Sequence, residues 1–113
     1  MKQDSISKKY YTIREVSDLL ELPLSTLRFW EKQFTMLKPF RDSKGNRFYS
    51  ERDIEIIKMV RYLVKERGLK IEAALAELRR NRQGVERRAE VVDRLKNVRD
   101  RLNEMLASLN SRH

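Results

Sequence analysis

The chain has 113 residues, enough for one domain or one small domain with an appendage. It carries a formal net charge of +9, with 40% hydrophobic and 38% charged residues, so it can build a core and its first expected partners are polyanions. It has no cysteine, and its one histidine is the last residue, His113, which excludes disulfides, thiolate chemistry and a histidine-built catalytic or metal site. Neither a signal-peptide run nor a stretch of roughly 18 apolar residues occurs, so the reading is cytoplasmic, with no membrane partner.

Residues 1–10 are polar and read as a flexible arm. Thr12 and Glu15 have capping-box spacing, and Ile13, Val16, Leu19 and Leu20 follow at helical intervals. This first helix stops before Pro23, and Ser25 is the expected N-cap of a second helix running to Phe34. Two short helices joined at Glu21–Leu24 have helix-turn-helix spacing. The helical period is lost from Thr35 to Tyr49, where Pro39, Asp42, Gly45 and Asn46 predict a small hairpin with its tip at Ser43–Asn46. Ser50 and Asp53 cap a long helix with Ile54, Ile57, Val60, Leu63 and Val64 on one face, ending at Gly68. A further helix spans Ile71 to about Arg80.

Beyond "NRQG" the pattern changes. Val91, Leu95, Val98, Leu102, Met105 and Leu109 alternate spacings of four and three, a heptad seam. So narrow an apolar stripe predicts pairing with the same helix of a second chain. Charge divides unevenly: residues 1–82 carry 19 basic and 12 acidic side chains, residues 83–113 carry 7 and 5. The polyanion signal therefore lies in the globular part. The expected division is a flexible arm at 1–10, a DNA-binding domain at 11–82 and a dimerisation helix at 83–113.

A helix-turn-helix followed by a hairpin predicts a mainly α fold, a winged helix whose second helix enters the major groove. Ser25, Thr26, Arg28, Phe29 and Lys32 are its candidate DNA contacts, with Leu27, Trp30 and Phe34 turned to the core. Arg28 can fork onto guanine or clamp a phosphate, and Phe29 can meet a sugar or a thymine methyl. Lys38, Arg41, Lys44 and Arg47 of the hairpin would flank the backbone. Glu31, closing "RFWE", is expected to pair with Arg47 and orient it toward DNA.

The run "YTIREVSDLLELPLSTLRFWEKQF", the wing end "NRFYS" and the "D-I" opening of the next helix, in this order, resemble the DNA-binding domain of the mercury-resistance-regulator (MerR) family. The resemblance covers about residues 10–80. It implies a second, helical wing over residues 51–81, a homodimer held by antiparallel C-terminal coiled-coil helices, and binding to inverted repeats in promoters. It further implies activation by bending or untwisting DNA. By position it assigns DNA contact to Thr12, Arg14, Thr26, Arg28, Phe29, Arg47 and Tyr49.

The partners expected are duplex DNA, a second copy of the chain and RNA polymerase, with no cofactor and no metal. Family members that sense metals or redox state use cysteines near the dimer helix, and drug-sensing members carry a further ligand domain. This sequence has neither, so effector control of those kinds is not expected. Lys70 stands where the family usually has a polar cap, which predicts a looser second wing, and Trp30 replaces a more common tyrosine. Two other readings compete with a promoter regulator. One is a protein-binding adaptor like the chaperone modulators that share this likeness. The other is a phage- or plasmid-type protein that bends DNA for recombination. An enzyme is not expected, since no nucleophile–base pair or phosphate loop occurs.

Overall fold

The computed structural model describes residues 10–111. The expected arm lies outside the described residues except for Tyr10, which begins a strand. In chain order the elements are β1 (Tyr10–Thr12), α1 (Ile13–Leu20), α2 (Leu24–Gln33), β2 (Phe40–Arg41), β3 (Arg47–Ser50), α3 (Glu51–Arg61), a π-helical continuation (Tyr62–Glu66), α4 (Ile71–Arg80) and α5 (Arg82–Asn110). The mainly α winged helix-turn-helix, with a small hairpin wing and a long C-terminal helix, is as the sequence predicts.

Local chemistry sets most boundaries. The Thr12 hydroxyl accepts from the Glu15 backbone N–H at 3.1 Å, and the Glu15 carboxylate accepts from the Thr12 N–H at 2.9 Å, closing the capping box of α1. The turn after α1 is held at both ends by Ser17. Its carbonyl accepts from the Leu22 N–H at 3.1 Å, and its hydroxyl donates to the Leu22 carbonyl at 2.5 Å. Between them Glu21 is left-handed at φ 55°, a conformation that costs about 1–2 kcal/mol for a residue with a Cβ. Ser17 and the buried Leu22 hold it there.

The start of α2 differs from expectation. Ser25 is not its cap: Pro23 is, with φ −62° and ψ 148°, and no side chain caps the helix. The Pro23 carbonyl accepts from Thr26 and Leu27 N–H at 3.1 and 3.2 Å, so the ladder begins before Ser25 is reached. Proline's fixed φ suits a helix start, which moves the boundary forward. The helix ends at Gln33, and the buried Phe34 is already extended.

The sheet has three antiparallel strands in the order β1-β3-β2. Tyr11 is opposite Tyr49, Thr12 and Phe40 flank Phe48, and Arg41 is opposite Arg47. At the hairpin tip one carboxylate does the folding. Asp42 accepts from the Lys44 and Asn46 N–H groups, both at 2.9 Å, and from the Asn46 amide at 3.1 Å. These bonds, chiefly that from the Asn46 backbone, hold its pKa below the usual aspartate value. Gly45 takes the positive φ, 84°, that the turn requires.

Asp53 joins the wing to α3. It completes a capping box with Ser50 and also accepts from the Lys38 N–H at 3.2 Å, so one buried carboxylate fixes the loop before β2 and the helix after β3. Beyond α3 the chain turns at Gly68, φ 71°, with the Leu69 N–H reaching back to the Leu63 carbonyl at 2.9 Å. Asn81 caps α5 through the Gly84 N–H. A Cβ on Gly84 would lie 2.4 Å from the Asn81 amide nitrogen, so a larger residue there would displace the capping side chain.

The core gathers Val16, Leu20, Leu27, Trp30, Phe34, Tyr49, Ile57, Val60, Leu63, Leu78 and Val85 from every helix and β3. Leu19, expected on the buried face of α1, is 59% exposed: the helix packs on the core through Val16 and Leu20, with Ile13 partly buried, and Leu19 lies outside that face. Ile56, outside the expected stripe, is fully buried: α3 is packed on more than one side.

Two outcomes follow from this packing. Asp53→Ala leaves the Lys38 and Ser50 N–H groups without their acceptor and should cost about 2–3 kcal/mol in denaturant unfolding. Among the described residues the buried Tyr49 hydroxyl has no hydrogen-bond partner, and burial, with help from the Glu31 charge, pushes the phenol from 10.0 up to about 12. The folded value lies above the unfolded one, so the neutral phenol's contribution is complete below pH 10 and is lost as pH rises toward 12. Tyr49→Phe should therefore fold with unchanged or greater stability at pH 7, and should lose less stability than the native chain between pH 10 and 12 in parallel melts.

Candidate nucleic-acid interface

Helix α2 is two-faced. Leu27 and Trp30 are 1% and 2% exposed and face the core, so the residues on the opposite side of the helix must face out. Ser25, Arg28, Phe29 and Lys32 are all exposed there, at intervals of three and four, and Thr26 is half-buried at the margin. An aromatic ring that is 49% exposed between an arginine and a lysine is not part of the core, which separates Phe29 from its neighbour Trp30.

The hairpin lies beside this face and is fastened to it. Arg47 Nε donates to Glu31 Oε1 at 2.6 Å, and the Arg41 guanidinium stands 3.6 Å from the same oxygen. The expected Glu31–Arg47 contact is therefore present, and Arg41 joins it through the cross-strand pairing of Arg41 with Arg47. The Glu31 side chain is only 11% exposed, so two guanidinium groups converge on one largely sheltered carboxylate. Lys38 and Lys44 are exposed on either side, Lys44 at the tip.

Arg14 is exposed in the first turn of α1. Thr12 is exposed as well, with its hydroxyl engaged as the cap of α1. Tyr49 is the exception. Its ring is fully buried and cannot present itself to a ligand, because the alternation of β3 sends Phe48 and Ser50 to one face and Tyr49 into the core. Its place in the site is support from beneath.

The fold also adds a residue that no sequence motif singles out. A shallow cleft between α2 and the segment leading into α4 is lined by Ser25, Thr26, Phe29, Trp30, Val64, Lys65 and Ile71. Lys65 is exposed at its edge. Lys65 is carried by the π-helical continuation of α3, far along the chain from Ser25 and Phe29, so no local pattern marks them as neighbours. The helix ends bear on the same cleft. Helices α1, α3 and α5 have side-chain caps, whereas α2 and α4 have none. Lys70, as expected, makes no capping bond. Ser25 and Thr26 at the start of α2 and Ile71 at the start of α4 line the cleft, and a helix start without a side-chain cap among the described residues is a place where an anion can be held.

The seam residues are apart from this face. Val91, Leu95, Val98, Leu102, Met105 and Leu109 are 53–63% exposed, and Leu106 adds a further exposed apolar side chain. Among the described residues, no group of three or more His, Cys, Asp or Glu side chains is placed to hold a metal ion, and no helix is long and apolar enough to cross a membrane.

Comparison with known proteins gives a consistent result. The family model described as MerR HTH family regulatory protein matches residues 11–81. The HTH-type transcriptional repressors CarA and CarH of Myxococcus xanthus are 31% and 30% identical over 68 and 89 residues, which is 59% and 79% of this chain. Those stretches are 24% and 29% of the two repressors, so the chain spans about a quarter of their length. The HTH-type transcriptional regulator MlrA of Escherichia coli is 37% identical over 51 residues, 45% of this chain and 21% of its own.

Among solved structures, HiNmlR, a MerR family regulator lacking the sensor domain and bound to promoter DNA, superposes with a TM-score of 0.54 at 20% identity. The match covers 87% of this chain and 88% of that one. A MerR family regulator from Bacillus cereus gives 0.56 at 17% identity over 90% and 78%. These likenesses speak for the fold, while the family match extends over most of the residues that build the two-faced helix and its wing. The chain belongs to the MerR family of helix-turn-helix regulatory proteins.

Proposed function

We propose that this chain binds duplex DNA at an inverted-repeat promoter site as a homodimer and regulates transcription by bending or untwisting that site. The observation that carries the reading is the divided surface of α2: Leu27 and Trp30 are locked in the core while Arg28, Phe29 and Lys32 stand exposed beside a hairpin of four further cations. A helix so fixed can enter a major groove as a rigid body, with Arg28 reading base edges and Phe29 against a sugar or a thymine methyl. Arg14, Ser25, Thr26, Lys38, Arg41, Lys44 and Arg47 then meet the backbone, and the open N-termini of α2 and α4 accept phosphates. Thr12 positions Arg14 by capping its helix.

The homodimer is supported by the exposed seam of α5. Six apolar side chains in heptad register form a stripe that a copy of the same helix can cover. A dimer places two reading heads on two half-sites and so suits a palindromic site. Such a protein works in the cytoplasm, where its promoter and RNA polymerase, a further partner in regulation, are found. HiNmlR, a neighbour in fold, is bound to promoter DNA, which supports the DNA-binding part of this reading.

Mutations separate the parts. Arg28→Ala should lose about 1–3 kcal/mol on the selected operator and relax preference at one position of each half-site. Lys44→Ala should weaken all duplexes alike and lower the log–log salt slope by about 1 for each phosphate that Lys44 neutralises. Titration of both variants against operator and scrambled duplexes at several salt concentrations checks this. Unchanged operator affinity in Arg28→Ala would move the protein-binding adaptor reading ahead. In sedimentation the native chain should give twice 13.6 kDa and Leu102→Asp the single-chain mass.

A further inference from the structure

We infer that Arg61 and Asp93 set the angle between the DNA-reading head and α5, and thereby determine which half-site spacing a dimer accepts; the inference rests on the homodimer reading above.

Arg61 is the last residue of α3 before the helix changes to π geometry. Its guanidinium joins three elements at once. One amino group donates to the Leu20 carbonyl at the end of α1 at 2.8 Å, and the other to Asp93 Oδ1 of α5 at 3.1 Å. Leu20 is in the last turn of α1, where carbonyls have no partner within the helix, so the bond from Arg61 satisfies an open acceptor of the helix-turn-helix. A second contact lies one turn further along α5, where Lys96 pairs with Glu66 at the end of the π-helical segment. Val85 and Ala89 are buried at the root of α5, and beyond Lys96 every described residue is exposed.

The direction of α5 is therefore fixed by a short root and by these two ion pairs. From Asp93 to Leu109 the helix extends about 24 Å, at about 1.5 Å per residue. A change of about 8° at Asp93 carried over that length displaces the end of the seam by about 3.4 Å, one base-pair step. A pair of heads joined through two such helices converts a small angular tolerance into a choice of spacer. Arg61 suits this role because its planar fork can reach two acceptors at fixed geometry, which a lysine cannot. The Arg61 side chain is 21% exposed and that of Asp93 38%, so the pair adds little stability and its consequence is geometric. Arg61 and Asp93 are positioning residues, acting through α5 and not by touching DNA.

The test uses the full chain and a series of duplexes carrying the selected inverted half-sites, with the spacer changed one base pair at a time. Affinity is measured for each duplex and for a single half-site, and mass by sedimentation. Asp93→Ala and Arg61→Lys should remain dimeric and bind the single half-site like the native chain. Their preference for the best spacer over its neighbours should fall by about two- to fivefold, the range that a weak ion pair can supply. A dimeric native chain with a sharp spacer profile that both variants reproduce unchanged overturns the inference alone. So does an Asp93→Ala chain that sediments as a monomer, since Asp93 would then serve assembly. A native chain that is monomeric or indifferent to spacing overturns the homodimer reading, and this inference with it.

Discussion

Everything that this fold offers to DNA depends on one helix having two incompatible faces. Helix α2 buries Leu27 and Trp30 at its back, and Glu31, next in sequence, holds the hairpin at its side through Arg47 and Arg41. The apolar contacts fix rotation of the helix about its axis, and the carboxylate fixes the wing relative to it. Neither alone suffices. Without the core contacts Arg28 and Phe29 have no defined direction, and without Glu31 two arginines on adjacent strands stand opposite each other with their charges uncompensated. A partly sheltered pair of this kind is worth only about 0–1 kcal/mol to folding. Its larger effect is on geometry, since it draws a positively charged wing against a positively charged helix, while the buried Tyr49 and Asp53 hold the base of that wing.

The same separation of stability from geometry recurs at the root of α5. Apolar burial at Val85 and Ala89 attaches the helix, and ion pairs from Arg61 and Glu66 direct it. The globular part and the seam are thus divided in composition. The reading head carries most of the excess positive charge, and α5 carries the exposed apolar stripe. A polyanion and a second copy of the chain would occupy different surfaces without competing.

What is legible in the sequence is the local and the periodic. The Thr12–Glu15 and Ser50–Asp53 boxes, the glycine ends at Gly45 and Gly68 and the two-faced pattern of α2 are written in residues a few positions apart, and each is present as read. What is not legible depends on partners distant in the chain. Strand β1 is three residues long and exists because β3 pairs with it, so no alternation announces it. Ser25 has the right chemistry for a cap, but Pro23 opens the helix first. Leu19 has a core residue's spacing and is mostly exposed. Likeness of motif assigns Tyr49 to DNA, and the pleat of β3 turns it inward. Lys65 is far along the chain from Ser25 and Phe29, and the tertiary fold brings them to one cleft.

The claim that Glu31 fixes the wing to the reading helix is tested most directly by Glu31→Gln, with operator affinity and melting temperature measured side by side. The substitution raises the net charge of an already basic protein by one, so charge counting alone predicts tighter DNA binding. Positioning predicts the opposite: operator affinity falls, while the melting temperature stays within about 5 °C of the native value, as loss of a weak pair requires. Operator affinity that is unchanged or higher in Glu31→Gln would contradict the account.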